Sequence, residues 1–339
     1  MKKILLIAFC VLSVSVFTPV YVHAGSDTVT LKMAMYQPAK HAFVGYYTAI
    51  IPMVEKITGG KIKIKIYHSA TLLRSTEMDD GINKGVADIG FSYPPMISAS
   101  IPFLGLTDLP GVWRDTKGFD DAFDNGLTEI YEQAYAEGGL TNLKVIGLTN
   151  IGFWYPCANT KKEVRVPADM KGLKLKGMGR MHVKYVDACG GTGMNVPIAE
   201  CYESIERGVI DGCTGFTSNF VSWKFMEPCK YFVDFAPGLG PMMLIINKQS
   251  LEKKVPQEWR EPLLEVLALL VKAHRGVMIA DDAYNHDIIM PKYMKYYRPN
   301  AEETKAWIDA GRPMVEEWLS KTGPLGKKAM DIVEKYNKR

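Results

Sequence analysis

The chain has 339 residues, 41 basic against 37 acidic, with 47% hydrophobic and 11% aromatic side chains. That apolar content excludes a disordered chain, and so even a charge balance gives no bulk attraction to nucleic acid or an anionic membrane.

Residues 1–24 read as a signal peptide. Lys2-Lys3 is a basic start, Ile4 to Phe17 is almost wholly apolar, and Val22-His23-Ala24 puts small residues where a signal peptidase reads. Cleavage after Ala24 leaves 315 residues, enough for two domains, and a net charge near +2. Cys10 follows Phe9 and comes too early for a lipid anchor, and no later stretch is apolar for the ~18 residues that a span needs. The mature protein is therefore expected in the periplasm, secreted and monomeric, with no nucleic-acid partner. Cys157, Cys189, Cys201, Cys213 and Cys229 remain after processing. Their odd number leaves at least one unpaired, and one disulfide among them is expected in an oxidising compartment.

Thr28 to Ala34 alternates apolar and polar residues as an opening strand, Gln37 to His41 is a loop, and Phe43 to Ile57 has helical spacing before Gly59-Gly60. Ile62, Ile64 and Ile66 alternate with lysines in a second strand. Thr76 to Lys84 suits a helix, and Val86 to Phe91 a third strand. Tyr93 leaves that strand at its carboxyl end, where α/β folds hold ligands. Thr116 to Ala136 is amphipathic, and its stripe of Phe119, Phe123, Leu127, Ile130 and Tyr131 reads as core.

Leu143 to Leu148 opens a strand running through Asn150-Ile151-Gly152 toward Phe153-Trp154-Tyr155. Strand side chains alternate faces, so at least one of the three aromatics is expected to be exposed or to line a cleft. From Ala168 to Asp211 short strands alternate with helical runs. Lys174 to Lys176 is a strand, Met181 to Ala188 a helix, Met194 to Pro197 a strand, Glu200 to Glu206 a helix, and Val209-Ile210 starts another strand. This alternation predicts a parallel α/β sheet, and Lys176, at a strand's carboxyl end, is a first candidate to touch a ligand. Gly238 to Lys248 reads as a return strand, and Leu263 to Asp282 as one long helix. The tail from Ala301 to Lys338 reads as helical segments broken at Gly311-Arg312-Pro313 and Gly323-Pro324.

Catalytic and cofactor patterns are weak. Gly177-x-Gly179 lacks a third glycine, its place taken by His182. The histidines are scattered, with no metal-ligand spacing. On a helix His182 and Cys189 stand about 10 Å apart in rise, too far for a nucleophile and its base. No cofactor, no metal and no enzymatic activity are expected.

The run Asp169-Met170-Lys171-Gly172-Leu173-Lys174-Leu175-Lys176, with Glu200-x-Tyr202 and Gly208-Val209-Ile210-Asp211-Gly212, resembles the dicarboxylate-type solute-binding proteins of tripartite ATP-independent periplasmic (TRAP) transporters. Their pattern there is D-x-K-G-L-K-[IL]-R, then E-V-Y-x-A-L-Q-x-G-V-[VI]-D-G-Q-E-N-P. Thr58-Gly59-Gly60-Lys61 and Gly85-Val86-Ala87-Asp88-Ile89 extend the likeness to the amino-terminal part.

The resemblance implies a two-lobed periplasmic binding protein fold of the α/β class, with a long helix spanning both lobes. One lobe would hold residues 25–149 and 238–280, the other 150–237 and 281–339. It also implies capture of a small organic anion by hinge closure and delivery to a large and a small TRAP membrane subunit. A ligand sensor feeding a signalling receptor, or an ordinary C4-dicarboxylate binder, is the alternative.

The departures from the family pattern bear on the ligand. The carboxylate-clamping arginine is Lys176 here, which keeps the charge and loses the fork. Trp154 stands where a second cation is often found, Gly215 lacks that motif's amide, and Phe216 replaces its proline. Arg180 is a candidate to supply a fork. With Tyr93, these residues suggest a monocarboxylate that has an apolar or aromatic part.

Overall fold

A computed structural model describes residues 28–337, so the expected signal peptide lies outside the described residues. The first elements in chain order are β1 (Val29–Ala34), α1 (Ala42–Ile50), α2 (Pro52–Ile57), β2 (Ile62–Tyr67), α3 (Met78–Asn83), β3 (Ile89–Ser92), α4 (Thr116–Ala122) and α5 (Thr128–Glu137). Then come β4 (Leu143–Asn159), β5 (Lys174–Lys176), α6 (Arg180–Ala188), β6 (Thr192–Met194), α7 (Cys201–Glu206), β7 (Gly212–Phe216), α8 (Thr217–Ser222) and β8 (Tyr231–Val233). The last are β9 (Gly238–Asn247), α9 (Lys248–Lys254), α10 (Gln257–Tyr284), β10 (Lys295–Tyr297) and α11 (Ala301–Tyr336).

The strands form one sheet in the order β2-β1-β3-β9-β4-β7-β5-β6, with β8 on β4 and β10 on β8. The fold is α/β and two-lobed, as expected, but the sheet is mixed. The blocks β2-β1-β3 and β7-β5-β6 are parallel, while β9 and β4 between them pair antiparallel with each other and with β3 and β7. The parallel sheet expected from Ala168 to Asp211 is found in β5, β6 and β7, while β9 and β4, between the two blocks, run antiparallel to the strands beside them. β4 has 17 residues and at about 3.3 Å each reaches roughly 55 Å, long enough to serve both blocks. Every residue of β9 is buried, the signature of a strand covered on both faces.

Local chemistry explains where the elements begin and break. His41 caps α1, its ring accepting from Phe43 N–H, and Asp115 caps α4 through Gly118 N–H. The expected helix over Phe43 to Ile57 divides at Ile51, where Pro52 opens α2. The helix expected over Thr116 to Ala136 is kinked at Asn125 and Gly126, yet its aromatic stripe is buried as expected. The expected break at Gly311-Arg312-Pro313 does not occur. A side chain at Gly311 would meet Pro110 at 2.4 Å, so this glycine serves close packing rather than a turn. Gly323, with φ 52°, does interrupt α11. The strands expected at Met194 to Pro197 and Val209-Ile210 lie at Thr192–Met194 and Gly212–Phe216. The turn before β7 is prolonged by Asp211, whose carboxylate accepts the Lys174 N–H at 2.8 Å.

Of the aromatic triplet on β4, Phe153 is half-buried between the two cores. Trp154 and Tyr155 are both buried on opposite faces, because each face has its own core. The smaller core gathers Tyr155, Phe220, Phe232 and Met290 with Cys201, Cys213 and Cys229. All five cysteines of the described residues are free and buried, so the expected disulfide is absent, and burial raises the Cys213 thiol well above its ordinary range. No described helix is long and apolar enough to cross a membrane.

α10 clamps the sheet to the helices beneath it. The Arg275 fork donates to both carboxylate oxygens of Asp124 at 2.9 Å and also to the Leu148 carbonyl of β4. Arg275 is 9% exposed, and removing it takes the cation from the half-buried Asp120 carboxylate, 3.5 Å from its Nε, and two donated bonds from the Leu148 carbonyl. Arg275→Met is expected to cost about 3 kcal/mol in urea unfolding. Lys272→Met, which loses a half-exposed partner of the same Asp124, should cost under about 1 kcal/mol. Equal losses would refute the buried clamp.

Candidate ligand-binding cleft

Four parallel strands, two from each block, end at one cleft. Gln37 follows β1 and Tyr93 follows β3, while Lys176 ends β5 and Phe216 ends β7. Carboxyl ends of parallel strands expose loops that no further strand covers, which is why ligands collect there. A groove of about 520 Å³ opens at the mouth, and behind it lies a small inner cavity of about 20 Å³. Ser75, Met96, Met178 and Ile198 line both and form the neck between them.

The groove is cationic. Lys176, Arg180 and Lys184 line it, and no acidic residue does. Lys184 is already held by Glu317 at 2.6 Å. Arg180, the first residue of α6, is exposed. Lys176 is 3% exposed, and its Nζ donates to the Gly177 carbonyl at 2.8 Å and to Met178 Sδ at 3.3 Å. Burial lowers the Lys176 ammonium below its ordinary pKa. One carbonyl and one thioether leave this cation short of an anionic partner.

The inner cavity is neutral and largely apolar. Phe216, Ile151, Met178 and Met242 line it, together with Tyr93. Gly240 makes room for Phe216, since a side chain there would lie 2.2 Å from the ring. The Tyr93 hydroxyl donates to the buried Asp108 carboxylate at 2.7 Å. His182 Nε2 stands 3.3 Å from the same carboxylate, and its Nδ1 pairs with Thr214 Oγ1 at 2.8 Å. Thr214 in turn donates to the Lys176 carbonyl at 3.3 Å, so the hydrogen bond at His182 Nδ1 is best assigned as donated by the ring. The Thr214 links tie α6 to β5 and β7, while His182 Nε2 makes no hydrogen bond and Tyr93–Asp108 joins two points of the segment after β3. His41 also borders the cavity, and burial lowers its pKa to about 4, partly opposed by its bond to Asn219, so it stays neutral.

Of the residues singled out from sequence, Tyr93 and Phe216 meet in the inner cavity, and Lys176 and Arg180 meet in the groove. Trp154 lies behind the wall. It is fully buried and stacks on His182 with ring centroids 4.1 Å apart. Gly215 sits under Met178, where an added side chain would be 3.7 Å from Met178 Cγ. Gln37, His41, Asn219 and Met242 escaped the sequence reading. Gln37 and His41 were within reach of the rule that singled out Tyr93, because their loop also leaves a strand's carboxyl end.

The crossing of β4 between the blocks carries a second buried acid. The β4–β9 register shifts between Asn150 and Phe153, where Gly152 has φ 90°. A side chain at Gly152 would lie 2.6 Å from the Asp282 carboxyl of α10, which accepts from Thr217 at the start of α8. Burial pushes the Asp282 carboxyl up to about 6. The unfolded chain releases this proton near pH 4 and the folded chain near 6, so ionisation costs stability as pH rises between them. Asp282→Asn should therefore gain on the parent by about 2–3 kcal/mol from pH 4 to pH 6.5, then level off. Urea titrations across that range measure it, and a constant difference would count against a raised carboxyl.

Residues 33–322 match the family model of the bacterial extracellular solute-binding proteins, family 7. The chain is 26% identical over 206 residues to the 2,3-diketo-L-gulonate-binding periplasmic protein YiaO of Escherichia coli, covering 60% of this chain and 62% of that one. It is 21% identical over 287 residues to the C4-dicarboxylate-binding periplasmic protein DctP of Rhodobacter capsulatus, covering 80% of each. In fold it resembles DctP7 of Bordetella pertussis, an extracytoplasmic solute receptor binding pyroglutamic acid. The TM-score is 0.83 at 19% identity, over 91% of this chain and 100% of that one. A TRAP periplasmic solute-binding protein of Chromohalobacter salexigens with bound D-glucuronate gives 0.82 at 20%, over 90% and 99%.

Proposed function

The chain belongs to family 7 of the bacterial extracellular solute-binding proteins, and from that premise we propose that it captures a small organic anion for a TRAP-type secondary transporter. It would act as a receptor and not as a catalyst, exported by residues 1–24 and handing its ligand to a large and a small membrane subunit. Curated relatives carry names that specify organic acids, including 2,3-diketo-L-gulonate and C4-dicarboxylates.

The observation that carries this reading is the groove with three cations and no acid, opening through a thioether-lined neck into a cavity without a cation. It favours a monocarboxylate with an apolar or aromatic part. The carboxylate would lie at Lys176, with Arg180 closing over it, and the apolar part would face Met178, Phe216 and Tyr93. Gly215 keeps the floor under Met178 low, and Trp154 positions His182 behind the wall. Burying a ring at about 25 cal/mol per Å² offsets a lost charge contact worth ~2 kcal/mol. The lobes proposed to close on it are residues 25–149 with 238–280 and residues 150–237 with 281–339. α11 lies across the first, where Trp318 donates to the Pro102 carbonyl at 2.9 Å.

Lys176→Ala is expected to weaken monocarboxylate binding in calorimetry by about 1.5–3 kcal/mol, because the anion loses its charged donor. Lys184→Ala, whose ammonium Glu317 already holds, should cost less than about 1 kcal/mol. An anion beside Lys176 raises the ammonium pKa that burial had lowered. Affinity should then be level at low pH and fall as pH rises through the lowered value, with proton uptake on binding in that range. Tight succinate or malate binding that ignores Lys176→Ala would refute the proposal.

A further inference from the structure

At the deep end of the cleft two polar side chains lack partners of matching strength. Gln37 is 4% exposed and lines the inner cavity, yet its Oε1 accepts no hydrogen bond. Its Nε2 reaches only the Met242 sulfur, at 3.9 Å. The neighbouring Tyr36 hydroxyl also points at that sulfur, at 3.6 Å. A thioether is a weak acceptor, and buried polar groups left in this condition are few in native folds. Two neighbouring groups on the cavity wall have partners within the protein. Tyr93 donates to Asp108, and His41 accepts from the Phe43 N–H and bonds Asn219. The unmet capacity at this spot is one acceptor and two donors.

We infer that the ligand's far end is a neutral group that both donates and accepts a hydrogen bond, an amide, lactam or hydroxyl, seated between Gln37 and Tyr36 against Met242. This rests on the reading of the cleft as an organic-anion site with the carboxylate at Lys176. A hydrocarbon end would leave every one of these groups unpaired. A second carboxylate accepts only, so it would face Gln37 Oε1 with no proton to offer, in a cavity where no cation lines the wall. An ammonium donates only and would meet no free anion, since Tyr93 occupies Asp108. The requirement survives a flip of the Gln37 amide, because either orientation presents one carbonyl and one NH₂.

The full mature chain would be titrated calorimetrically with two matched series. One is hexanoate, 6-hydroxyhexanoate and adipate; the other is cyclopentanecarboxylate, pyroglutamate and glutarate. In each series the neutral donor–acceptor member should bind at least tenfold more tightly than the other two. Gln37→Leu should collapse that ratio to below threefold. Gln37→Glu, which keeps the size and removes the neutral donor, should also collapse it, and it supplies the answer if the leucine variant does not fold. Tightest binding of a hydrocarbon acid or a diacid, or a ratio that survives both substitutions, would overturn the inference while anion binding stands. No binding by any member, with Lys176→Ala indistinguishable from the parent, would overturn the anion reading itself.

Discussion

The antiparallel seam between β4 and β9 is the constraint on which the rest of the molecule depends. It runs from Leu143 opposite Asn247 to Trp154 opposite Gly238, with register shifts between Val145 and Gly147 and between Asn150 and Phe153. Each parallel block hangs from it by one further antiparallel pairing, β3 on β9 and β7 on β4. A block of three short parallel strands is not stable alone, because parallel strands need cover on both faces. The seam supplies continuity between the blocks, and α10 and α11 supply cover. The same seam orients the carboxyl ends of β1, β3, β5 and β7 toward one cleft.

The seam is interrupted where it crosses from one block to the other. One register shift, between Asn150 and Phe153, lies in the pairing with β9, and another, between Tyr155 and Ala158 beside Pro156, lies in the pairing with β7. Proline lacks the N–H that a ladder needs, and glycine admits the φ that a bulge demands. The lobe closure proposed above would take its flexure at such points.

The sequence showed most of this architecture because periodicity reports burial. Ile62, Ile64 and Ile66 betray a strand, and the Phe119 to Tyr131 stripe betrays a covered helix face. Strand direction was less legible. Nothing local to Leu143–Asn159 distinguishes a returning antiparallel strand from a parallel one, since both are buried on two faces and equally apolar. Glycine was ambiguous for a related reason. Gly311 and Gly323 look alike in sequence, but one is needed for contact with Pro110 and the other for its φ. In the cleft, Lys176 and Arg180 stood out because a charge beside a strand end is conspicuous. Gln37 and Met242 did not, because an amide and a thioether acquire meaning only from the partners they lack in space.

The thiol cluster at the base of the second lobe sets a condition on how the chain reaches this structure. Cys213 lies beside both Cys201 and Cys229, all three fully buried, and burial raises the Cys213 thiol above its ordinary range. A thiol shut away from solvent is poorly attacked, so these three are shielded from oxidants once the core is formed. The newly made chain has no such shelter. If it folds where disulfides form readily, the collapse of that core and the coupling of those sulfurs are competing clocks. Only a chain whose core closes first arrives with its cysteines unjoined.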